Sequence, residues 1–490
     1  MSHDANIPDP PDAVDRPRVG VDEWVAQVEA RSERGVLGVL RQRFYAVPGA
    51  IRLAALVIPA AFIPAIIDDQ YLMQVAIDTT LFVLLALGLN IAVGWAGLLD
   101  LGYVAFFGFG AYAYTLLASG HTGVHWQAAT AIPVVVAASA VFGFLLGLPS
   151  WRLVGDYLAI VTLFFFQIFL TILINATAID FPFVDRPLNV TRGPNGISSV
   201  DPLDFFGWDV TTLDEYFWLA LGAFVLIIGA LYLLNESRTG RAWRALREDP
   251  LAAELMSMPV NRLKLVAFSI GAAVAGLTGS IFAAEQGSVF PQNFDLALLI
   301  TLYAMVILGG VGSLAGVAIG AIVINVALEV LRTPANASWL FFVGIALAFP
   351  VLVRSWRLRG VVAAAVVGFG FAVHELVEAV WPRGVSGSTE GEAWIDGVLD
   401  AWVLLPANPV DVGKWGYVLL IAAVLGLTLL RAVWRAVALV PVLYLAACVW
   451  ENVLVVQPAV ARYIMLGGML VALMAARPQG LLGTTRVEIV

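Results

Sequence analysis

Residues 72–93 read LMQVAIDTTLFVLLALGLNIAV, a run in which Asp78 is the only ionisable side chain. At about 1.5 Å per residue, a helix of that length covers the roughly 30 Å hydrocarbon core of a bilayer. The pattern recurs along the chain. Further apolar runs lie near 51–67, 96–118, 127–148, 156–179, 214–234, 263–283, 293–309, 312–331, 338–353, 360–381, 416–431, 436–456 and 461–476. The 490 residues are 60% hydrophobic and 13% charged, a balance that excludes an ordinary soluble globular domain. The expected fold is all-α, a polytopic transmembrane helical bundle of about 10–14 spans with the bilayer as its solvent.

Charge placement orients the bundle. Arginines cluster in RSERGVLGVLRQRF before the first run, in 237–247, in RSWRLR at 354–359, at Arg431 with Arg435, and at Arg477 and Arg486. If every run spans, all of these fall on one side, which the positive-inside rule assigns to the cytoplasm together with both termini. The expected location is the cell (inner) membrane, multi-pass. The loops near 180–213 and 382–415 are acidic and fall on the other side. The net charge of −9 and the lack of a long basic tract argue against a nucleic-acid partner. Residues 1–20, rich in proline and aspartate without an apolar core, read as a disordered tail rather than a signal peptide.

Chemistry-bearing motifs are sparse. Cys448 is the single cysteine, so an intramolecular disulfide and a cysteine-based metal site are both excluded. A P-loop needs lysine followed by serine or threonine, but the two lysines, Lys264 and Lys414, precede Leu265 and Trp415. HExxH and GxSxG are missing as well, and the four histidines form no convincing ligand set. The chain is expected to carry no P-loop ATPase site, cofactor or metal of its own.

Glycine is unusually dense in NIAVGWAGLLDLGYVAFFGFGAYAYTLL, residues 90–117, where Asp100 stands in an otherwise apolar run. Two readings stand. Glycines permit an unwound helix at membrane depth, where transporters build solute paths; they also permit tight helix packing, with Asp100 as an interfacial cap. Gly271, Ala275 and Gly279, and likewise Gly312, Gly316 and Gly320, recur at every fourth residue and read as small-residue packing stripes.

The charged stretch 237–259, SRTGRAWRALREDPLAAELMSMP, interrupts this apolar chain. Asp249 followed by Pro250 is a helix-start signal, and Pro259 opposes continuation at the far end. The intervening LAAELMSM predicts a helix of about eight residues with Leu251, Leu255 and Met258 on one edge and Met256 beside them. So short a helix needs a surface to pack on. Either the protein's own cytoplasmic face or the lipid interface supplies it, or a partner's groove accepts the apolar ridge with Glu248, Asp249, Glu254 and the arginines as rim. Composition does not choose between these.

Six blocks occur in the order found in one family: GLNIAVGWAGLLDLGYVAFFGFGAY (88–112), GDYLAIVTL (155–163), RGPNGI (192–197), 237–279, VILGGVGSLAGVAIGA (306–321) and RPQGLLG (477–483). They resemble the permease subunits of ATP-binding-cassette importers for branched-chain amino acids, and among these the M-type subunit. The resemblance implies that cytoplasmic ATPase subunits use ATP and Mg, that a second homologous permease completes the pore, and that an extracytoplasmic solute-binding protein delivers solute. It also implies that Glu248, Asp249, Leu251, Ala252, Ala253, Glu254, Leu255 and Met256 form the coupling helix that docks on the ATPase. Asn90, Gly94, Gly97, Asp100, Tyr103, Phe106, Thr162 and Gln167 are placed along the solute path.

This chain departs from the family pattern in three places. Ser257, Met258 and Pro259 stand where glycine usually follows the coupling helix. FFFQ, ending at Gln167, replaces a glycine-rich turn and glutamate, which implies a neutral side chain where the family carries charge. A long apolar stretch also separates LEVLR (328–332) from RPQGLLG. The expected division is therefore a cytoplasmic segment at 1–45, a permease core at 46–335, an insertion with extra spans at 336–460, and a final helix and tail at 461–490. The expected function is branched-chain or related amino-acid import by alternating access. Urea, a short amide or another small solute remains the alternative within the class, and an ion-coupled secondary transporter or a membrane-embedded enzyme stands outside it.

Overall fold

The computed structural model of the chain describes residues 57–471 except 152, 154, 178–188, 353–355, 383–384, 386–395, 407–408, 431, 458–459, 461–462 and 469, and then 480–482. The expected N-terminal segment 1–45 and most of the tail lie outside the described residues.

The chain folds as an all-α polytopic bundle. Among the described residues seven helices are long and apolar enough to cross a membrane, and five shorter apolar helices accompany them. Three short antiparallel ribbons, including Ile197–Ser198 with Ser288–Val289 and Leu203–Phe205 with Trp208–Val210, close one end. The arginine-rich stretch closes the other.

The centre is built on two helices. α1, Gln70–Asn90, starts where Asp69 accepts the Tyr71 amide and runs into a single π-helical turn at Ile91–Trp95. It then breaks: residues 96–102 are not helical, and Gly97 sits at φ +68°. α2, Tyr103–Leu117, resumes for 15 residues, about 22 Å, too short to span alone. The glycine-rich run expected at 96–118 is therefore a broken helix. α3 (Ala128–Gly147), α4 (Asp156–Asn175) and α5 (Leu213–Glu236) follow, the last started by a Thr212–Glu215 capping box.

Two short helices, α6 (Arg238–Glu248) and α7 (Pro250–Leu255), cross the arginine-rich end. The second central helix, α8 (Val260–Gln286), returns through the middle and packs on α1, α2 and α3. α9 (Leu296–Gly309) and α10 (Leu314–Val330) form a hairpin against α1.

The helix packing is close wherever glycines oppose each other. A Cβ on Gly316 or Gly320 would strike the Gly309 or Met305 carbonyl across the α9–α10 hairpin, and one on Gly279 would strike the Phe107 carbonyl of α2. Ala275 is fully buried between them, and Gly271 faces the Gly88 carbonyl at a looser 3.3 Å. Gly312 differs from its expected stripe partners. It lies in the turn before α10 at φ +92°, a conformation that favours glycine, and so it is not on a helix face.

α11 (Pro334–Leu352), α12 (Trp356–Val380), α13 (Pro409–Leu429) and α14 (Ala432–Val456) continue the chain. Their buried residues gather in two small clusters of their own, one around Leu331, Ala337 and Trp450 and one around Val403, Tyr444 and Cys448. Inside this region Ser338 donates to the buried Glu451 carboxylate at 2.5 Å. Beyond it the chain rejoins the main core: Leu466 is buried there, and the Leu481 and Leu482 amides donate to the Leu308 and Gly309 carbonyls at 2.8 and 3.0 Å.

Candidate functional site

The arginine-rich end presents the first candidate surface. Ser237 caps α6 by accepting the Gly240 amide, and Trp243 and Leu246 bury that helix's inner edge. Asp249 then caps α7, its carboxylate accepting the Leu251 and Ala252 amides at 2.9 and 3.0 Å. α7 has six residues rather than the expected eight. Only Ala253 faces inward, whereas Leu251, Leu255 and Met256 are 72, 85 and 76% exposed. Glu248, Asp249, Ala252 and Glu254 are exposed around them. The expected ridge exists with one correction: Met258 is partly buried against the core and does not extend it.

The helix ends there because Ser257 takes φ +62°. The Met258 amide then reaches the Ala253 carbonyl at 3.1 Å and the Ser257 amide the Glu254 carbonyl at 2.9 Å, the paired bonds of a Schellman ending. Serine occupies the position where glycine is the relaxed residue, so the exit has the glycine-type geometry without the glycine. Ser257→Gly is expected to stabilise this end by about 1 kcal/mol, slowing amide exchange at Met258 about fivefold by mass spectrometry. Unchanged or faster exchange would refute a strained ending.

The second candidate is the break between α1 and α2. Asn90 is fully buried and its Oδ1 accepts the Gly312 amide at 2.8 Å, while its Nδ2 has no partner among the described residues. Asp100 is buried, accepts the Gly102 amide at 2.9 Å on its carboxylate, and has its carbonyl bonded by the Tyr303 hydroxyl at 2.6 Å. The hydroxyl of Thr162 on α4 accepts the Leu101 amide at 2.9 Å and so fastens the unwound segment. Tyr103 is buried with its hydroxyl likewise unpartnered among the described residues, and its ring meets Phe106 edge-on. The structure thus brings Asn90, Gly94, Gly97, Asp100, Tyr103, Phe106 and Thr162 to one broken helix. Gln167 stands apart: it is exposed on the outward face of α4, in line with the exposed Thr171 and Asn175.

Sequence reasoning missed the residues that join the two candidates. Trp243 is fully buried and stacks on Trp95 at 6.1 Å between ring centres. Arg247 turns inward and donates to the Gly94 carbonyl, so it does not serve as rim. Trp95 beside Gly94 in the first of the six blocks and Trp243 beside Arg244 in the fourth were the available signal. Their pairing is a matter of tertiary structure. His121 and His125, at ligand spacing, contact the Asn189 carbonyl and Asp201 separately, and no group able to hold a metal occurs among the described residues.

The family described as branched-chain amino acid transport system / permease component matches residues 71–372. The high-affinity branched-chain amino acid transport system permease protein LivM of Salmonella typhimurium (strain LT2) is 37% identical over 310 residues, 59% of this chain and 69% of that protein. LivM of Escherichia coli (strain K12) is 37% identical over 331 residues, covering 63% and 73% of the two chains. The permease protein LivH of Escherichia coli (strain K12) is 25% identical over 255 residues, 50% of this chain and 80% of its own. No solved structure matches the chain.

Proposed function

We infer the function from the family to which this chain belongs, the permease components of branched-chain amino acid transport systems: it is the membrane-spanning permease subunit of an importer for branched-chain amino acids. ATP is hydrolysed by separate cytoplasmic ATPase subunits, a second permease chain completes the pore, and an extracytoplasmic binding protein delivers the solute. The observation that carries the ATPase assignment is α7, a capped six-residue helix whose Leu251, Leu255 and Met256 face away from their own protein. An apolar ridge with a charged rim suits a groove in a soluble partner.

The solute path runs beside the break. Buried donors without partners are costly, about 1–3 kcal/mol each, so Asn90 Nδ2 and the Tyr103 hydroxyl suit a state in which a carboxylate or water meets them. Asp100 offers an acceptor for an ammonium. Gln167, Thr171 and Asn175 put polarity on the outward face of a spanning helix, where lipid is a poor neighbour and a second permease a better one. Residues 336–460 form an insertion whose helices pack mostly among themselves.

The test is uptake by the complex, assembled with its ATPases and binding protein in proteoliposomes. Leucine, isoleucine and valine should accumulate only with ATP, and Gln167→Leu should weaken copurification of the second permease chain while the ATPase is retained. Accumulation of urea or a short amide alone would transfer the assignment to that solute. Uptake driven by an ion gradient without ATP would overturn the importer reading.

A further inference from the structure

Among the described residues, α6 connects the exposed helix α7 to the buried helix break. The break begins with the wide turn at Ile91–Trp95. In a regular helix the Leu98 amide would donate to the Gly94 carbonyl. Here it donates to Ala92 at 2.9 Å and the Ala96 amide to Ile91 at 3.1 Å, which leaves the Gly94 carbonyl for another donor. Arg247, on the last turn of α6, is that donor through Nη1.

The same arginine touches two further parts of the break. Its stem lies so close to Gly97 that a Cβ there would sit 3.0 Å from Arg247 Cγ, and one on Gly312 would sit 2.6 Å from Nη1. One turn earlier Trp243 stacks on Trp95 and donates to the Leu263 carbonyl at 2.8 Å, tying α6 to the first turn of α8. Trp95 in turn donates to the Gly312 carbonyl at 3.1 Å, and Asn90 accepts the Gly312 amide at 2.8 Å. α6 is thereby held to the π-helical turn, to the unwound segment and to the α9–α10 turn at once.

We propose that Arg247, backed by the Trp95–Trp243 stack, is the positioning residue that makes α6 and the break at 91–97 move as one body, so that displacement of the docking helix is delivered directly to the unwound segment. The physical reason is rigidity. The Arg247 Nη1 is wedged between the Gly94 carbonyl and the Gly312 turn, and its stem is pinned against Gly97 next to two stacked indoles, so the packing leaves its torsions little room. A route through α5 or α8 would instead bend long helices. The proposal rests on the importer reading above.

Two measurements on the assembled complex test it. The first compares uptake and ATP hydrolysis in Arg247→Gln and Arg247→Lys. Arg247→Gln should keep ATPase capture and hydrolysis within about twofold while solute moved per ATP falls tenfold or more. Arg247→Lys, which keeps a charged donor but loses the planar guanidinium, should recover part of that loss. A proportional fall of uptake and hydrolysis would make Arg247 merely structural and overturn the proposal, as would unchanged uptake. The second replaces Cys448, the only native cysteine, by serine and places spin labels at the exposed positions 99 and 238. In the otherwise native complex their separation should stay constant between nucleotide-free and ATP-bound states, and in Arg247→Gln it should broaden or shift. A shift in the native complex would refute the single body. A native complex that transports nothing with ATP would sink the importer reading, whereas a transporting complex indifferent to Arg247 would sink this proposal alone.

Discussion

Leu255→Asp is expected to abolish ATP-driven uptake, with at least a hundredfold loss and no ATPase copurifying with the permease. Leu255 is 85% exposed on the helix proposed above as the docking element. Burying a leucine in a partner's groove contributes about 1.5–3 kcal/mol, and forcing a carboxylate into the same apolar space costs several more. A change of about 4 kcal/mol is roughly a thousandfold in affinity, enough to dissolve a micromolar-to-nanomolar contact. The permease itself should fold as before, because the Asp249 cap, Pro250 and the inward Ala253 are untouched. Leu255→Met keeps the apolar volume and should retain the ATPase. Pull-down from gentle detergent reads the result, and full retention of the ATPase by Leu255→Asp would show that α7 is not the docking element.

Gly279→Val is expected to destabilise the bundle itself, by about 3 kcal/mol or more, because overpacking here cannot be absorbed by a rotamer change. The position faces the backbone of α2: an added carbon would strike the Phe107 carbonyl and the Ala111 amide, with Gly110 pressed against Gly276 one turn away. α2 and α8 would have to separate, loosening the layer that holds Tyr103 and Phe106. Gly271→Ala is the milder comparison, since its single new carbon would meet the Gly88 carbonyl at 3.3 Å, tight but short of the clash at Gly279, and the Tyr103 ring at 3.8 Å. Denaturation in mixed detergent should separate the two variants clearly. Equal stability of Gly279→Val and the native chain would mean that these helices are less tightly packed than their glycines imply.

The contrast between those glycines shows how far sequence carried the site. A stripe at every fourth residue is readable as packing, but spacing assigns the same role to Gly271, Gly279 and Gly312. Only neighbours separate a tolerant contact, a backbone crossing and a left-handed turn. The same holds for the arginines of 237–247, alike as letters: Arg238, Arg241 and Arg244 stay exposed, and Arg247 turns into the core. α7 was legible because its cap, its proline and its apolar edge are local features, and its early end at Leu255 was not, because nothing in the letters says that Ser257 takes φ +62°.

Sequence by itself determined that this chain is built of apolar helices suited to a bilayer, which stretch carries the arginines, and that it has no P-loop of its own. These follow from side-chain transfer energies and a missing lysine-serine pair, both of which act over a few residues. Tertiary structure decided that the run after Trp95 breaks, that Asn90 and Gly312 clasp across 222 positions of chain, and that Arg247 of α6 donates to the Gly94 carbonyl at that break. Those outcomes depend on which backbone amide or carbonyl is left without a partner once the helices have packed, a quantity that belongs to the assembled bundle and to no single stretch of it.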